Sequence, residues 1–155
     1  MVAAYIVACA RTAGGKNKGR ISHVHPVDLG AAVVNSLLER IPGGMDGSLV
    51  DDVIFGCVSQ VGMQAANMGR NVVLASNLPL SVPGTAVDRQ CGSSQQAIHF
   101  AAQAVMSGTQ DIVIAGGAES MTGVPMMSNL PKVPTISACT ELSYTYVFAY
   151  FIGFR

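Results

Sequence analysis

Cys91 stands between two stretches of opposite character. Ahead of it, Thr85 to Asp88 reads as a short β-strand. Behind it, Gly92, Ser93 and Ser94 lead into an alanine-rich run from Gln95 to Met106 with helical spacing. A thiol at such a strand-to-helix turn lies where the unpaired N–H groups of the first helical turn point outward. Their partial positive charge favours a thiolate, the nucleophilic form of the side chain. The same donors can hold an oxyanion, and Gly92 and Ser93 leave room for a substrate to approach. That is the layout of a nucleophile. The alternative is plain packing, because a free cysteine is often a small buried hydrophobe.

The other reactive side chains form no comparable group. Cys9, Cys57 and Cys139 lie far apart without CxxC or Cys/His ligand spacing, so no zinc site is expected. His23, His25 and His99 make no metal cluster, and His99 is expected to pack on a buried helix. A cysteine hydrolase would need a histidine beside Cys91. His99 lies eight residues along the helix, ~12 Å away by helical rise, too far for a direct hydrogen bond. Gly14 to Gly19 is rich in glycine and lysine but lacks the Lys-Ser/Thr ending of a phosphate-binding loop, and reads as a solvated loop.

Several elements must position this cysteine. Tyr5 to Cys9 is a short apolar strand. A helix follows, with Asp28 as its cap, Leu29, Ala32, Val33 and Leu37 at helical spacing, and Pro42-Gly-Gly44 closing it. Val50 to Cys57 is continuously apolar at its centre, as a buried parallel strand is. Gln64 to Ser76 is helical, residues 78–84 break the chain, and Thr85 to Asp88 delivers Cys91 to a third helix. That helix has almost no polar face and is expected to be buried. Asp111 to Ala115 is a fourth strand, ending at Gly116-Gly117. Strand and helix alternate, which predicts an α/β fold with a mostly parallel sheet and right-handed crossovers. Chemistry in such sheets sits at the carboxyl ends of the strands.

Four stretches carry a resemblance. Asp88-Arg-Gln-Cys-Gly-Ser-Ser-Gln-Gln-Ala97 resembles the acyl-accepting cysteine motif of the thiolases, the acetyl-CoA acetyltransferase and 3-ketoacyl-CoA thiolase family. Ala8-Cys-Ala-Arg-Thr12, Asn67-Met-Gly-Arg-Asn71 and Ala115-Gly-Gly-Ala-Glu-Ser-Met121 are similar to the same family, in family order, over roughly residues 2–130. The resemblance implies a thiolase-like layered fold, present as an incomplete N-terminal βαβαβα(β) half. It implies an acyltransferase whose Cys91 forms an acyl thioester. The substrates would be acyl-CoA and CoA, in thiolytic cleavage of a 3-ketoacyl-CoA or the reverse condensation of acetyl-CoA. Fatty acid β-oxidation and lipid metabolism would be the setting. Coenzyme A enters as substrate, and no other cofactor is implied. The form of the cysteine motif, with Ser120-Met-Thr-Gly-Val-Pro125, leans towards the bacterial degradative or steroid branch. Homodimers or homotetramers are the family's assemblies, built on the strand that leads to the nucleophile. A related ketosynthase shares the fold and a nucleophilic cysteine.

The resemblance fades near Pro131. The family's Gly-His-Pro and Cys-x-Gly motifs, which supply the acid and base, do not occur in these residues, and Cys139 in Ser-Ala-Cys-Thr-Glu matches neither. Residues 1–131 therefore read as a thiolase N-terminal domain and 132–155 as an atypical tail. Six of the chain's nine aromatic residues fall within 144–155, an abrupt shift that predicts a segment outside the fold. A truncated, non-catalytic product that pairs with full-length subunits is the alternative function.

At 155 residues the chain is one domain's worth. Its zero formal net charge and 12% charged residues give no surface for nucleic acid or anionic membrane. No apolar run reaches the ~18 residues of a membrane span, and the start lacks the basic segment of a secretory signal. The expectation is a cytoplasmic protein with reduced thiols.

Overall fold

Alternate residues of the central strands divide one sheet into two apolar faces. Val53 and Phe55 point to one side and Ile54 to the other; Ile114 and Ala118 oppose Val113 and Ala115 in the same way. A two-residue period of this kind is what lets one strand serve two cores. A computed structural model describes residues 3–130 and 144–153. Its elements are β1 (Tyr5–Arg11), β2 (Gly15–Lys16), α1 (Pro26–Arg40), β3 (Asp52–Gly56), α2 (Met68–Ala75), β4 (Gly84–Val87), α3 (Ser93–Ser107), β5 (Ile112–Ser120) and β6 (Tyr144–Gly153).

The sheet runs β1-β6-β5-β3-β4, with β2 also paired to β6. β3 is parallel to β4 and to β5, and β6 is antiparallel to β1, β2 and β5. Every other strand thus shares one direction, and β6 alone opposes it. The mostly parallel sheet expected from the strand–helix alternation is present, with one reversed strand inside it.

That reversed strand corrects one expectation. The aromatic stretch was expected to lie outside the fold, but Tyr144–Gly153 pairs with β5 from Ile112↔Gly153 to Ser120↔Thr145 and with β1 on its other edge. Its residues have high β-propensity, and between two strands it has ladder partners on both edges over residues 148–153. Ala149 and Ile152 are buried, one in each core. The boundary expected after residue 131, and Cys139, lie outside the described residues.

α1 and α2 cover the face bearing Phe55, through Val33, Val34, Leu37, Met68, Val72 and Val73. α3 covers the other face with Ala97, Ala101 and Val105, four residues apart along one helical stripe. Burial of Phe55 or Leu37 contributes ~1.5–3 kcal/mol each. α3 is not buried all round: Phe100 is 43% exposed, Met106 is 49% exposed, and His99 is exposed as well. The sheet lies on one side of the helix only, so the apolar composition of its outer face does not translate into burial.

Two helix starts also differ from expectation. α1 is capped by His25, whose Nδ1 accepts the Val27 N–H at 3.2 Å, while Asp28 sits inside the first turn. Asp28 still favours that helix end through the dipole. The second helical segment opens as a 3-10 turn, Gly62–Gln64, and becomes α2 only after Asn67 caps it.

Candidate active site

β4 and α3 meet in a tight turn, Asp88 to Gly92, that carries Cys91. Gln90 adopts φ 49°, a left-handed conformation that a side chain disfavours by ~1–2 kcal/mol. Local bonds hold it there. The Asp88 carboxylate accepts the Gln90 N–H at 2.9 Å, and the Gln90 carbonyl accepts both the Ser93 N–H at 3.0 Å and the Ser93 hydroxyl at 2.6 Å. The Ser93 hydroxyl oxygen accepts the Arg89 N–H at 2.9 Å, and the Arg89 guanidinium donates to Gln96. Cys91 emerges from this turn with its thiol exposed. Beside it opens a cavity of about 350 Å³ lined by Arg89, Gly92, Gln95, Gln96 and His99.

α3 begins at Ser93 with Gly92 as its cap residue and no side-chain cap. The Gly92 and Ser93 N–H groups are occupied by the Arg89 and Gln90 carbonyls. Cys91 therefore precedes the helix by two residues, and two of the nearby donors are engaged in shaping the turn.

The first turn of α3 rests on the carboxyl ends of β3 and β5. A Cβ added at Gly56 would lie 2.5 Å from the Ser93 carbonyl carbon and 2.7 Å from Ser94 Cα. One added at Gly117 would collide with the Ser94 side chain and come within 2.7 Å of the Gly56 carbonyl. Only hydrogen at both positions lets helix and sheet approach this closely. The strand leading to Cys91 is gripped as well. The Asn67 amide donates to the Gly84 carbonyl at 2.9 Å, and Arg70 donates to the Val82 and Leu80 carbonyls at 2.6 and 3.0 Å. Asn67 also caps α2 by accepting the Arg70 N–H at 3.0 Å.

A buried polar cluster lies at the same end of the sheet. The Glu119 carboxylate accepts the Val58 N–H at 2.7 Å, the Ser59 N–H at 3.2 Å and the Gln64 amide at 2.9 Å. Gln64, fully buried, also donates to the Ser59 carbonyl at 2.9 Å and accepts the Ser120 N–H at 2.5 Å. The Cys57 thiol lies against Glu119. Burial pushes it well above the usual thiol range, and the Glu119 carboxylate adds to the shift. This cysteine is held as a neutral thiol in the core; Cys91 and Cys9 are exposed.

The residues named from sequence thus separate. Cys91 is exposed at the predicted turn; Cys57 is in the core; Cys9 is exposed on β1, where its carbonyl accepts Arg40 at 3.0 Å. His99 shares the cavity wall with Gly92 but is not packed as expected. Among the described residues no group of His, Cys, Asp and Glu could hold a metal ion, and no helix is long and apolar enough to cross a membrane. Sequence reasoning missed Gln64 and the clamp made by Glu119. Glu119 lies inside one of the recognised stretches, but nothing in the sequence pairs it with residues 58, 59 and 64.

Helices on both faces of a mostly parallel sheet, with an exposed thiol beyond the carboxyl end of a parallel strand, define an α/β domain of the kind that binds ligands at its strand ends. Residues 4–143 match the family described as thiolase, N-terminal domain. The chain belongs to the thiolase family. It is 52% identical over 128 residues to the steroid 3-ketoacyl-CoA thiolase FadA6 of Mycobacterium tuberculosis, an alignment covering 83% of this chain and 31% of that protein. It is 45% identical over 133 residues to the 3-ketoacyl-CoA thiolase of Bacillus subtilis, covering 85% and 34%. The crystal structure of the Bacillus anthracis acetyl-CoA acetyltransferase superposes with a TM-score of 0.74 at 36% identity, over 81% of this chain and 31% of that one. The chain spans about a third of the length of the relatives it matches.

Proposed function

We propose that this chain carries the acyl-accepting half of a thiolase site and acts in acyl transfer on CoA thioesters. The observation that carries the proposal is the exposed thiol of Cys91, held by a hydrogen-bonded turn beyond the carboxyl end of β4. The Cys91 sulfur attacks the 3-keto carbon of a 3-ketoacyl-CoA and forms a carbon–sulfur bond. The bond between C2 and C3 then breaks. Its electron pair stays on C2 as the enolate of acetyl-CoA, which takes up a proton. The thiol of free CoA next accepts the acyl group, a proton leaves that thiol, and Cys91 is regenerated. The Cys91 backbone N–H is the donor we assign to the oxyanion of the tetrahedral intermediate. General acid–base assistance contributes ~10²–10⁴ in rate, and the family motifs that supply it do not occur in these 155 residues. Acylation of Cys91 without sustained turnover is therefore the activity expected of these 155 residues tested by themselves. Similarity to 3-ketoacyl-CoA thiolases, one of them named for steroids, supports the degradative direction.

Incubation with acetoacetyl-CoA followed by peptide mass spectrometry tests this. The acetyl group should appear on Cys91, be absent from Cys9, and vanish in Cys91→Ala. A folded chain that leaves Cys91 unmodified, or labels Cys9 to the same extent, overturns the proposal. The alternative, a non-catalytic product that pairs with full-length subunits, draws on the place of β4 at the edge of the sheet.

A further inference from the structure

We propose that Glu119 is a positioning residue for Cys91, acting through the segment that follows β3. The inference rests on the reading of Cys91 as the acyl-accepting thiol. Glu119 stands two residues beyond Gly117, so one strand supplies both the floor beneath Ser94 and a carboxylate beside it. That carboxylate takes two consecutive backbone donors, Val58 and Ser59, and the amide of Gln64. It thereby ties the end of β5 to the first residues after β3. The residue just before those donors, Cys57, donates its own N–H to the Val87 carbonyl at 3.0 Å. Val87 ends β4 and is followed directly by Asp88, the first residue of the Cys91 turn. A continuous path of short bonds thus runs from Glu119 through residues 57–59 to Val87 and the turn.

Ser59 is 3% exposed and Gln64 fully buried, so water is poorly placed to replace the carboxylate at these two donors. A buried donor left unpaired costs ~1–3 kcal/mol; of the three donors that converge on Glu119, those of Ser59 and Gln64 belong to buried residues and that of Val58 to a half-buried one. Glutamine at 119 preserves shape but turns one acceptor oxygen into a donor, which then faces N–H groups. Aspartate keeps both acceptor oxygens and the charge, at a reach shorter by one methylene. The two variants separate acceptor chemistry from side-chain volume.

The test measures iodoacetamide alkylation of the native chain, resolved by cysteine and followed across pH. Cys9 reports general thiol reactivity and Cys57 reports opening of the core. In Glu119→Gln the ratio of Cys91 to Cys9 rates should fall about threefold or more, because the thiol loses its fixed place beside the helix end. Cys57 should stay protected, and Glu119→Asp should restore part of the ratio. An unchanged or higher ratio overturns the inference. So does a lower ratio accompanied by Cys57 labelling, which would mark a merely structural role. Should Glu119→Gln fail to fold, Gln64→Asn removes the same tie from its other end and is judged by the same ratio. Acetoacetyl-CoA labelling of the wild-type chain tests the underlying reading separately. Its failure alongside a lowered ratio would leave the positioning role standing without the acyl-transfer function.

Discussion

Gly56→Ala is the substitution that bears most directly on how Cys91 is held. The new methyl group would lie 2.5 Å from the Ser93 carbonyl carbon and 2.7 Å from Ser94 Cα, where real contacts begin near 3.4 Å. These are backbone atoms of α3, so no side-chain rotation relieves the clash. Gly56 cannot retreat either, because it is paired with Val87 on one side and Gly117 on the other. The Ser94 nitrogen lies closer still, so the first turn of α3 must lift by ~1 Å. Overpacking of this kind costs ~1–3 kcal/mol, and the lower entropy of an unfolded alanine adds ~0.4–1 kcal/mol of stability against it only where the site is unstrained. A net loss of ~2 kcal/mol corresponds to a Tm lower by roughly 4–8 °C in a chain of this size. The chemical effect should be larger in proportion, since a misplacement of ~1 Å can reduce rate ~10²-fold. Circular dichroism melting, paired with Cys91 acylation by acetoacetyl-CoA, reads both. Gly92→Ala is the control: its φ is −97° and the nearest atom to its new Cβ is the Arg89 carbonyl oxygen at 3.4 Å, so its Tm should stay close to wild type. If Gly56→Ala melts like Gly92→Ala and acylates like wild type, the close seat of α3 on the sheet does not position the thiol.

Cys57 gives a pH signature of the opposite kind to a salt bridge. Its folded-state pKa lies above the unfolded value of 9.0, so its contribution to stability is complete below pH 9 and is lost as pH rises through the folded value. Denaturation followed upward from pH 9 should show wild-type stability falling more steeply than Cys57→Ala, by up to ~1.4 kcal/mol per pH unit, and parallel curves would refute the buried neutral thiol. A chain ending at residue 143 lacks β6, the strand that pairs β1 with β5, and should lose its cooperative melt. Retention of the full-length midpoint would show that the aromatic strand is dispensable.

Much of the positional plan was legible in the sequence because it is local. The strand into Cys91, the helix after it, and the apolar centre Val53-Ile-Phe55 each announce themselves within a few residues. The order of strands in space does not. β6 lies between β1 and β5, a placement set by pairing across 25 to 41 residues of chain to β5 and 137 to 148 to β1, and its aromatic composition reads equally well as an unstructured tail. Caps were ambiguous for a related reason. Asp28 and His25 both stand near the start of α1, and only the backbone conformation decides which side chain meets a free N–H. The helix of Cys91 was over-read: alanines at 97 and 101 announce close contact with a neighbour, but composition cannot say whether one side of a helix is covered or two.

Of the four stretches that carry the thiolase resemblance, one contains the exposed thiol we propose as the nucleophile and two others hold its turn in place. Asn67 and Arg70 grip carbonyls at the start of β4 and just before it, so their side chains act as backbone anchors. Gly117 and Glu119 work from beneath, one by being small enough for Ser94 to sit on it, the other by collecting donors from the neighbouring strand's exit. These supports converge on main-chain atoms and fix the turn while leaving the thiol exposed. Gln90 can then occupy a disfavoured conformation because the surrounding bonds determine it more strongly than its own preference does. The placement of the Cys91 thiol is in this sense a property of the sheet's carboxyl edge as a whole. Damage to any one support should therefore be felt at the thiol even where no side chain touches it.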